Sequence, residues 1–138
     1  PRYALSQYEY VETIMEAATL LADARYRPGG IVVFDQVNPL SFMLGWRPAR
    51  GGNLWSGPDT PIRPAEELLA DVDHVLIPKF STRSATAVAP HLAYLANHFQ
   101  VRTETQTWTM ISRSSAIVTS QLQAAPVNLV TPQVALPP

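Results

Sequence analysis

Cysteine is entirely missing from this sequence of 138 residues. Disulfide frameworks, thiolate zinc sites and cysteine nucleophiles are therefore excluded by composition. A chain without cysteine folds equally well in oxidising and reducing surroundings, so this absence leaves the cellular compartment open. The length is typical of a single domain with one hydrophobic core.

Charge is also scarce, because only 15% of the residues are charged, against about a quarter in an average globular protein. Ten basic and eleven acidic side chains leave a formal net charge of -1. Such a chain has no basic field that could displace counterions from a nucleic acid backbone. We therefore expect no nucleic acid partner.

Long apolar runs are missing too. No stretch approaches the roughly eighteen consecutive apolar residues that cross a bilayer, and no charged start followed by an apolar block indicates a signal peptide. The chain as given is thus expected to be soluble. It begins with Pro1 and not with Met, which fits either methionine removal or, as we expect, excision from a longer polypeptide.

The apolar pattern that is present predicts alternating helices and strands. A first helix is expected over residues 5–25, and a Pro-Gly-Gly turn ends it. A β-branched run over 31–34 then suits a strand that is buried on both faces. Further elements are a short helix after Pro64, a buried strand over 74–77, a helix over 83–98 that Pro90 weakens, and a terminal hairpin within 99–111.

Two helical stripes are expected to face the core. The first helix offers Tyr8, Val11, Ile14, Met15, Ala18, Leu21 and Ala22. The later helix offers Val88, Leu92, Leu95 and Phe99.

The order of elements predicts a small three-layer α/β sandwich with a mainly parallel sheet and an antiparallel hairpin at its C-terminal end. We expect residues 1–113 to form this single domain. Residues 114–138 contain no charge and four prolines. This tail is expected to be either extended against an apolar groove or loosely ordered.

Polar and aromatic residues gather after the first strand, in the stretch "DQVNPLSFMLGWRPARGGNLW" from 35 to 55. If the strands 31–34 and 74–77 are parallel neighbours, Asp35 and Lys79 emerge at the same end of the sheet, where open α/β sheets bind their ligands. The loop adds further candidates for holding a phosphate, a carboxylate or a sugar ring. The candidate ligand-binding residues are Asp35, Asn38, Arg47, Arg50, Trp55 and Lys79.

The sequence favours a structural role for the same residues over a ligand-binding role. Asp35 and Lys79 suit turn capping or ion pairing, and Trp46 and Trp55 suit anchors that hold a long loop on the core. For Arg47 and Arg50, two interpretations are equally favoured: salt bridges that tether the loop, and ligand binding.

No catalytic or cofactor motif is present. His91 and His98 stand seven residues apart and His74 begins a strand, so no metal site is expected. Serine hydrolase, Walker and dinucleotide-binding patterns are missing, because the glycines of "RPGGIVVFD" precede the strand and do not follow it. We therefore assign no catalytic residue and no cofactor, and chemistry by this chain alone is the least favoured reading.

Three phrases carry a family resemblance: "VVFDQVNPLSFMLGWRPARGGNLW", "ADVDHVLIPKFSTRSAT" and "HLAYLANHFQVRTETQTWTMISR". Together they resemble the C-terminal soluble part of bacterial polytopic inner-membrane proteins related to glycosyltransferases that use lipid-linked sugars. The resemblance covers roughly residues 5–113. The membrane helices and acidic residues that carry catalysis in those enzymes have no counterpart here.

This resemblance implies a non-catalytic, periplasmic accessory domain of a membrane glycosyltransferase-like protein. Its implied partner is the transmembrane part of its own parent chain, with a glycan or lipid headgroup as a further contact. Two alternatives stay open, namely a stand-alone protein that binds a sugar or phosphate, and an interaction module whose tail adds a strand to a neighbour's sheet.

Overall fold

The computed structural model describes residues 7–35, 37–51 and 60–118, apart from the side chains of Thr82 and Arg83. The helices are α1 (Gln7–Leu21), α2 (Leu40–Leu44), α3 (Ala65–Leu68), α4 (Thr82–Val88) and α5 (Leu92–His98). The strands are β1 (Gly30–Val33), β2 (Val72–Pro78), β3 (Val101–Glu104) and β4 (Trp108–Ser112). The predicted alternation of helices and strands is confirmed, and α2 is an addition to it.

The four strands form one mixed sheet in the order β1-β2-β4-β3. The α/β class and the C-terminal hairpin are confirmed. The expectation of a mainly parallel sheet needs correction, since only β1 and β2 run parallel, while β2–β4 and β3–β4 are antiparallel. The long connections β1–β2 and β2–β3 both cross over a helical layer, but only β1 and β2 become parallel neighbours. The short turn between β3 and β4 makes those two strands antiparallel, and β4 lies between β2 and β3, so that its pairing with β2 is antiparallel as well.

Helices cover both faces of the sheet, which confirms the three-layer arrangement. Alternating side chains of β1 divide between the two layers, because successive residues of a strand point to opposite faces. Ile31 and Val33 join a core under α1 and α2 that includes Leu76 and Trp108. The opposite core, under α3, α4 and α5, contains Val32, Phe34, Ala65, Leu69, Val72, Val75, Val88, Leu95 and Phe99.

A bulge interrupts the register at the start of β2. Gly30 pairs with Val72, but the next residue, Ile31, already pairs with His74, so Asp73 is the extra residue. Its carboxylate accepts the backbone N–H of Gly30 at 3.1 Å. As a result Val72 faces the α3 core, whereas His74, two residues later, faces the α1 core.

The stripe predicted for the first helix is confirmed in part, because Ile14 and Leu21 are buried and Ala18 is half-buried, while its other four residues are exposed. The buried face of the helix is rotated from the predicted one. Its buried residues are Thr13, Ile14, Ala17 and Leu21. Tyr8, Val11 and Met15 are exposed at 73%, 57% and 51%. The apolar arc of this helix is wider than the sheet can cover, so only one side of it is buried.

The predicted helix over 83–98 is broken at Pro90, as the sequence indicated. A 3₁₀ turn (Ala89–His91) separates α4 from α5. The tighter turn shifts the helical phase, so His91 is buried where Leu92 was expected, and Leu92 is 55% exposed.

The body of the domain extends beyond the boundary drawn at residue 113. A second 3₁₀ turn (Ser114–Ala116) leads to Ile117, which is buried in the core under α1. Val118 donates its backbone N–H to the carbonyl oxygen of Arg25 at 2.7 Å. The rest of the predicted tail, residues 119–138, lies outside the described residues.

Candidate functional site

Asp35 and Lys79 both follow the carboxyl ends of the parallel pair β1 and β2, as predicted. Lys79, however, is engaged by the hairpin. Its Nζ donates to the carbonyl oxygen of Thr105 at 2.7 Å and lies 2.5 Å from the carboxylate of Glu104. Hydrogen bonds from Lys79 and Arg102 hold the pKa of Glu104 at about 2. Lys79 is thus a structural cation that joins β2 to the β3–β4 turn.

Asp35 is half-buried and lies toward α1. Burial, together with the nearby carboxylate of Asp35, raises the pKa of Tyr10 on that helix. Asp35 and Lys79 therefore lie at the same end of the sheet, but Asp35 lies near α1 while Lys79 binds the β3–β4 hairpin.

Asn38 fastens the loop after β1 to the open side of that strand. Its Nδ2 donates to the carbonyl oxygen of Ile31 at 3.0 Å, and the residue is buried. Within the described part of the chain, Asn38 Oδ1 and the nearby Ser41 Oγ are buried without a hydrogen-bond partner. Such atoms are uncommon in folded proteins, where an ordered water or another polar group usually satisfies them.

Arg47 and Arg50 lie at the opposite end of the sheet from Lys79. The Arg47 guanidinium donates to the Asp71 carboxylate at 2.8 Å, and the backbone N–H of Arg50 donates to the same group at 3.0 Å. Asp71 precedes β2 while Lys79 follows it, and the intervening extended residues span roughly 25 Å. The structure therefore does not assemble the predicted joint site.

The loop after β1 carries two tryptophans, and Trp46 lies in the part of the chain that the structure describes. Trp46 packs against the α1 core, and its ring centroid lies 5.5 Å from that of His74. The anchoring role predicted for this side chain is confirmed. Trp55, predicted as a ligand contact, lies outside the described residues.

The three histidines are far from forming a common centre. His74 is fully buried, with Nδ1 2.8 Å from Ser112 Oγ and Nε2 2.8 Å from the Arg27 carbonyl oxygen. His91 is buried against Phe34, and burial lowers the pKa of both imidazoles. Across the described ranges, no group of three or more His, Asp or Glu side chains is placed to hold a metal ion.

An exposed apolar surface on α1 and α2 is the feature that the sequence reasoning missed. The two helices are in contact on one face of the sheet. Phe42 is the most exposed of its large side chains, at 88%. We call this surface the α1–α2 patch, and it consists of Tyr8, Val11, Met15, Phe42 and Met43.

A sequence signal for this patch did exist. The seven apolar positions assigned to the first helix cover more of its circumference than one sheet contact needs. Large apolar side chains left exposed on two neighbouring helices are typical of an interaction surface.

Comparisons with protein-family models, with curated proteins and with solved structures find no match for this chain. Among the residues that the structure describes, no helix combines the length and apolarity needed to cross a bilayer.

Proposed function

We propose that this chain is a non-catalytic extracytoplasmic accessory domain of a membrane glycosyltransferase-like protein, and that it docks through the α1–α2 patch onto the transmembrane part of its own parent chain. The exposed patch carries the proposal, because Phe42, Tyr8 and Val11 leave large apolar side chains in water. The three sequence phrases resemble such proteins, and this resemblance suggests the transmembrane part of the parent chain as the partner of the patch. In this role the domain shapes the acceptor side of the membrane enzyme and contacts a glycan or lipid headgroup there.

Single-cysteine labelling tests this proposal cleanly, because the chain has no cysteine of its own. Val11→Cys and Phe42→Cys place a thiol in the patch, and Leu92→Cys places the matched control on the opposite layer, where the native side chain is also exposed. Each variant is labelled with a membrane-impermeant maleimide, both in the isolated chain and in the product of the complete gene in inner-membrane vesicles.

We expect fast labelling of all three thiols in the isolated chain. In the membrane-bound product, positions 11 and 42 should be protected while position 92 stays reactive from the extracytoplasmic side. Equal labelling of position 11 in both preparations contradicts the docking. A complete gene without apolar segments of about twenty residues contradicts the parentage, and reactivity of position 92 only from the cytoplasmic side contradicts the location.

A second candidate function is binding of a small sugar or phosphate by the loop that follows β1. The unpartnered atoms Asn38 Oδ1 and Ser41 Oγ favour it, since a ligand hydroxyl would satisfy both. The backbone N–H of Trp46 donates to the Ser41 carbonyl oxygen at 2.9 Å, which places Trp46 next to Ser41 in the fold. Titration with sugars and sugar phosphates should then change tryptophan emission in the native chain and not in Ser41→Ala, and a silent titration of the native chain removes this candidate.

A further inference from the structure

The exposed side chains of α1 follow a heptad pattern. Tyr8, Val11 and Met15 are spaced by three and four residues, which is the spacing of the seam between two packed helices. The next position of the same spacing, Ala18, is half-buried against the core, and its small side chain does not obstruct a close approach along the stripe. The exposed stripe of α1 is therefore shaped to receive a helix lying along it.

The charge beside this stripe has one sign. Glu12 is exposed between Val11 and Met15, at a position that flanks a helical seam and selects the partner by charge. Glu9 is also exposed on α1, and the helix contains no lysine or arginine. The other acidic residues nearby are engaged, since Glu16 accepts a hydrogen bond from Thr107 and Asp23 pairs with Arg25. A partner helix that lies on this stripe meets negative charge at its flank.

The same charge argues against a lipid surface as the occupant. Helices that lie on membranes carry lysine and arginine on their polar face, because bilayer surfaces are anionic. α1 has acidic residues on that face. Its negative flank repels such a surface and attracts a basic helix instead.

We infer that the α1–α2 patch binds one amphipathic helix whose apolar stripe is flanked by lysine or arginine. This inference rests on the proposed docking function and names the chemistry of the partner segment. Phe42 and Met43, which expose apolar area next to α1 on α2, extend the contact beyond a simple two-helix seam. The lengthwise contact of the partner helix is with α1, and α2 forms one wall.

Two matched peptides test the inference with the full 138-residue chain. Both are designed helices of about three heptads with leucine at the seam, and they differ only in carrying lysine or glutamate at the flanking positions. We expect the lysine peptide to bind about tenfold more tightly at low salt, as measured by fluorescence anisotropy, and the difference to shrink as salt screens the charges.

Three variants make the outcome specific to the patch. Val11→Glu should remove binding of the lysine peptide, whereas Leu92→Glu, on the opposite layer, should leave it unchanged. Glu12→Lys should reverse the preference in favour of the glutamate peptide. Circular dichroism of each variant checks that the fold persists, which the exposed position of all three side chains favours.

Three peptide results overturn the inference: equal affinity for the two peptides, no binding of either, and an unchanged preference in Glu12→Lys. Two other occupants of the patch would also overturn it. One is a second copy of the chain, seen as self-association that Val11→Glu abolishes, and the other is a lipid surface, seen as patch-dependent binding to vesicles of anionic phospholipid. Protection of position 11 in the parent membrane protein together with equal peptide affinities defeats this inference alone. Charge-selective peptide binding with position 11 unprotected in the parent defeats the proposed docking to that parent.

Discussion

His74 is held by its surroundings in one neutral form. The Arg27 carbonyl oxygen can only accept a hydrogen bond, so Nε2 carries the proton, and Nδ1 accepts from the hydroxyl of Ser112. The ring is enclosed by the aromatic side chains of Tyr26 and Trp46. A residue that composition alone offers as a ligand or a base is therefore a structural polar link between β2, β4 and the turn after α1.

Burial of His74 and His91 makes the domain sensitive to mild acid. Burial lowers the pKa of both imidazoles below the ordinary value of about 6.5, so the unfolded chain binds protons more readily than the folded one. The free energy of unfolding should be highest above that value and fall as the pH drops through it, by at most about 1.4 kcal/mol per pH unit for each histidine.

Urea titrations at several pH values between about 7.5 and about 5.5 measure this fall in the free energy of unfolding. This pH range lies above the one in which carboxylates titrate. His98→Gln, at an exposed position, serves as the control for the effect of a histidine substitution itself. The His74→Gln, His91→Gln double variant should lose most of the fall, and an undiminished fall in that variant contradicts the assignment.

Asp71 is expected to matter more than the arginine it binds. Its carboxylate receives both the Arg47 guanidinium and the backbone N–H of Arg50. Burial opposes its ionisation, but these hydrogen bonds prevail and lower the pKa of Asp71. Arg47→Ala, at a side chain that is 55% exposed, should cost under about 1 kcal/mol of unfolding free energy.

The same measurement on Asp71→Ala should give about 1–2 kcal/mol, because the Arg50 N–H then loses its acceptor as well. Asp71→Asn keeps an acceptor oxygen and should fall between the two. Equal costs for Arg47→Ala and Asp71→Ala would mean that the ion pair alone holds the loop.

Among the elements, the strands follow the sequence most closely. β1, β2 and the hairpin could be predicted because β-branched and aromatic runs of this length are a local signal. The five-residue α2 was missed, since Asn38 and Pro39 indicate a turn and the helix they introduce is too short for a periodic pattern. Pro90 marked the break between α4 and α5, but the residue that becomes buried there depends on the 3₁₀ turn.

The candidate site illustrates what local patterns cannot supply. The sequence identifies which strand each polar residue follows, and this placed Asp35 and Lys79 correctly at one end of the sheet. It does not give the path of the loop that carries Arg47 and Arg50, which runs to Asp71 at the other end. That path is set by tertiary contacts between residues far apart in the chain, namely the bonds of Arg47 and Arg50 to Asp71 and the packing of Trp46 on the core.

Two glycines at element ends should respond differently to alanine. A methyl group at Gly30 would collide with the backbone of Asp71 at the β1–β2 bulge, whereas one at Gly45 meets nothing, although Gly45 has a φ of 66°. Gly30→Ala should cost about 2 kcal/mol or more because the strands must separate, and Gly45→Ala about 1 kcal/mol from backbone conformation alone. Thermal or urea unfolding of both variants measures the difference, and equal costs contradict the close approach at Gly30.

For the molecule as a whole, the extent of the folded body can be tested by truncation. Ending the chain after Val118 keeps buried Ile117 and the hydrogen bonds to Arg25 and Arg27. Ending it after Arg113 removes them and uncovers the core under α1, which should cost about 2 kcal/mol or more of unfolding free energy. Similar unfolding curves for the two truncations would mean that the folded body ends at residue 113.

The strand order has a consequence for how the chain is made. Of the four described strands, β4 is the last to leave the ribosome, yet it lies inside the sheet between β2 and β3. Until residue 112 has emerged, β2 has one side without its partner, and every nascent chain passes through a stage in which that side is open to wrong pairing. Export or chaperone capture before this point would keep the half-built sheet from aggregating, and synthesis of the final strand closes it in one step.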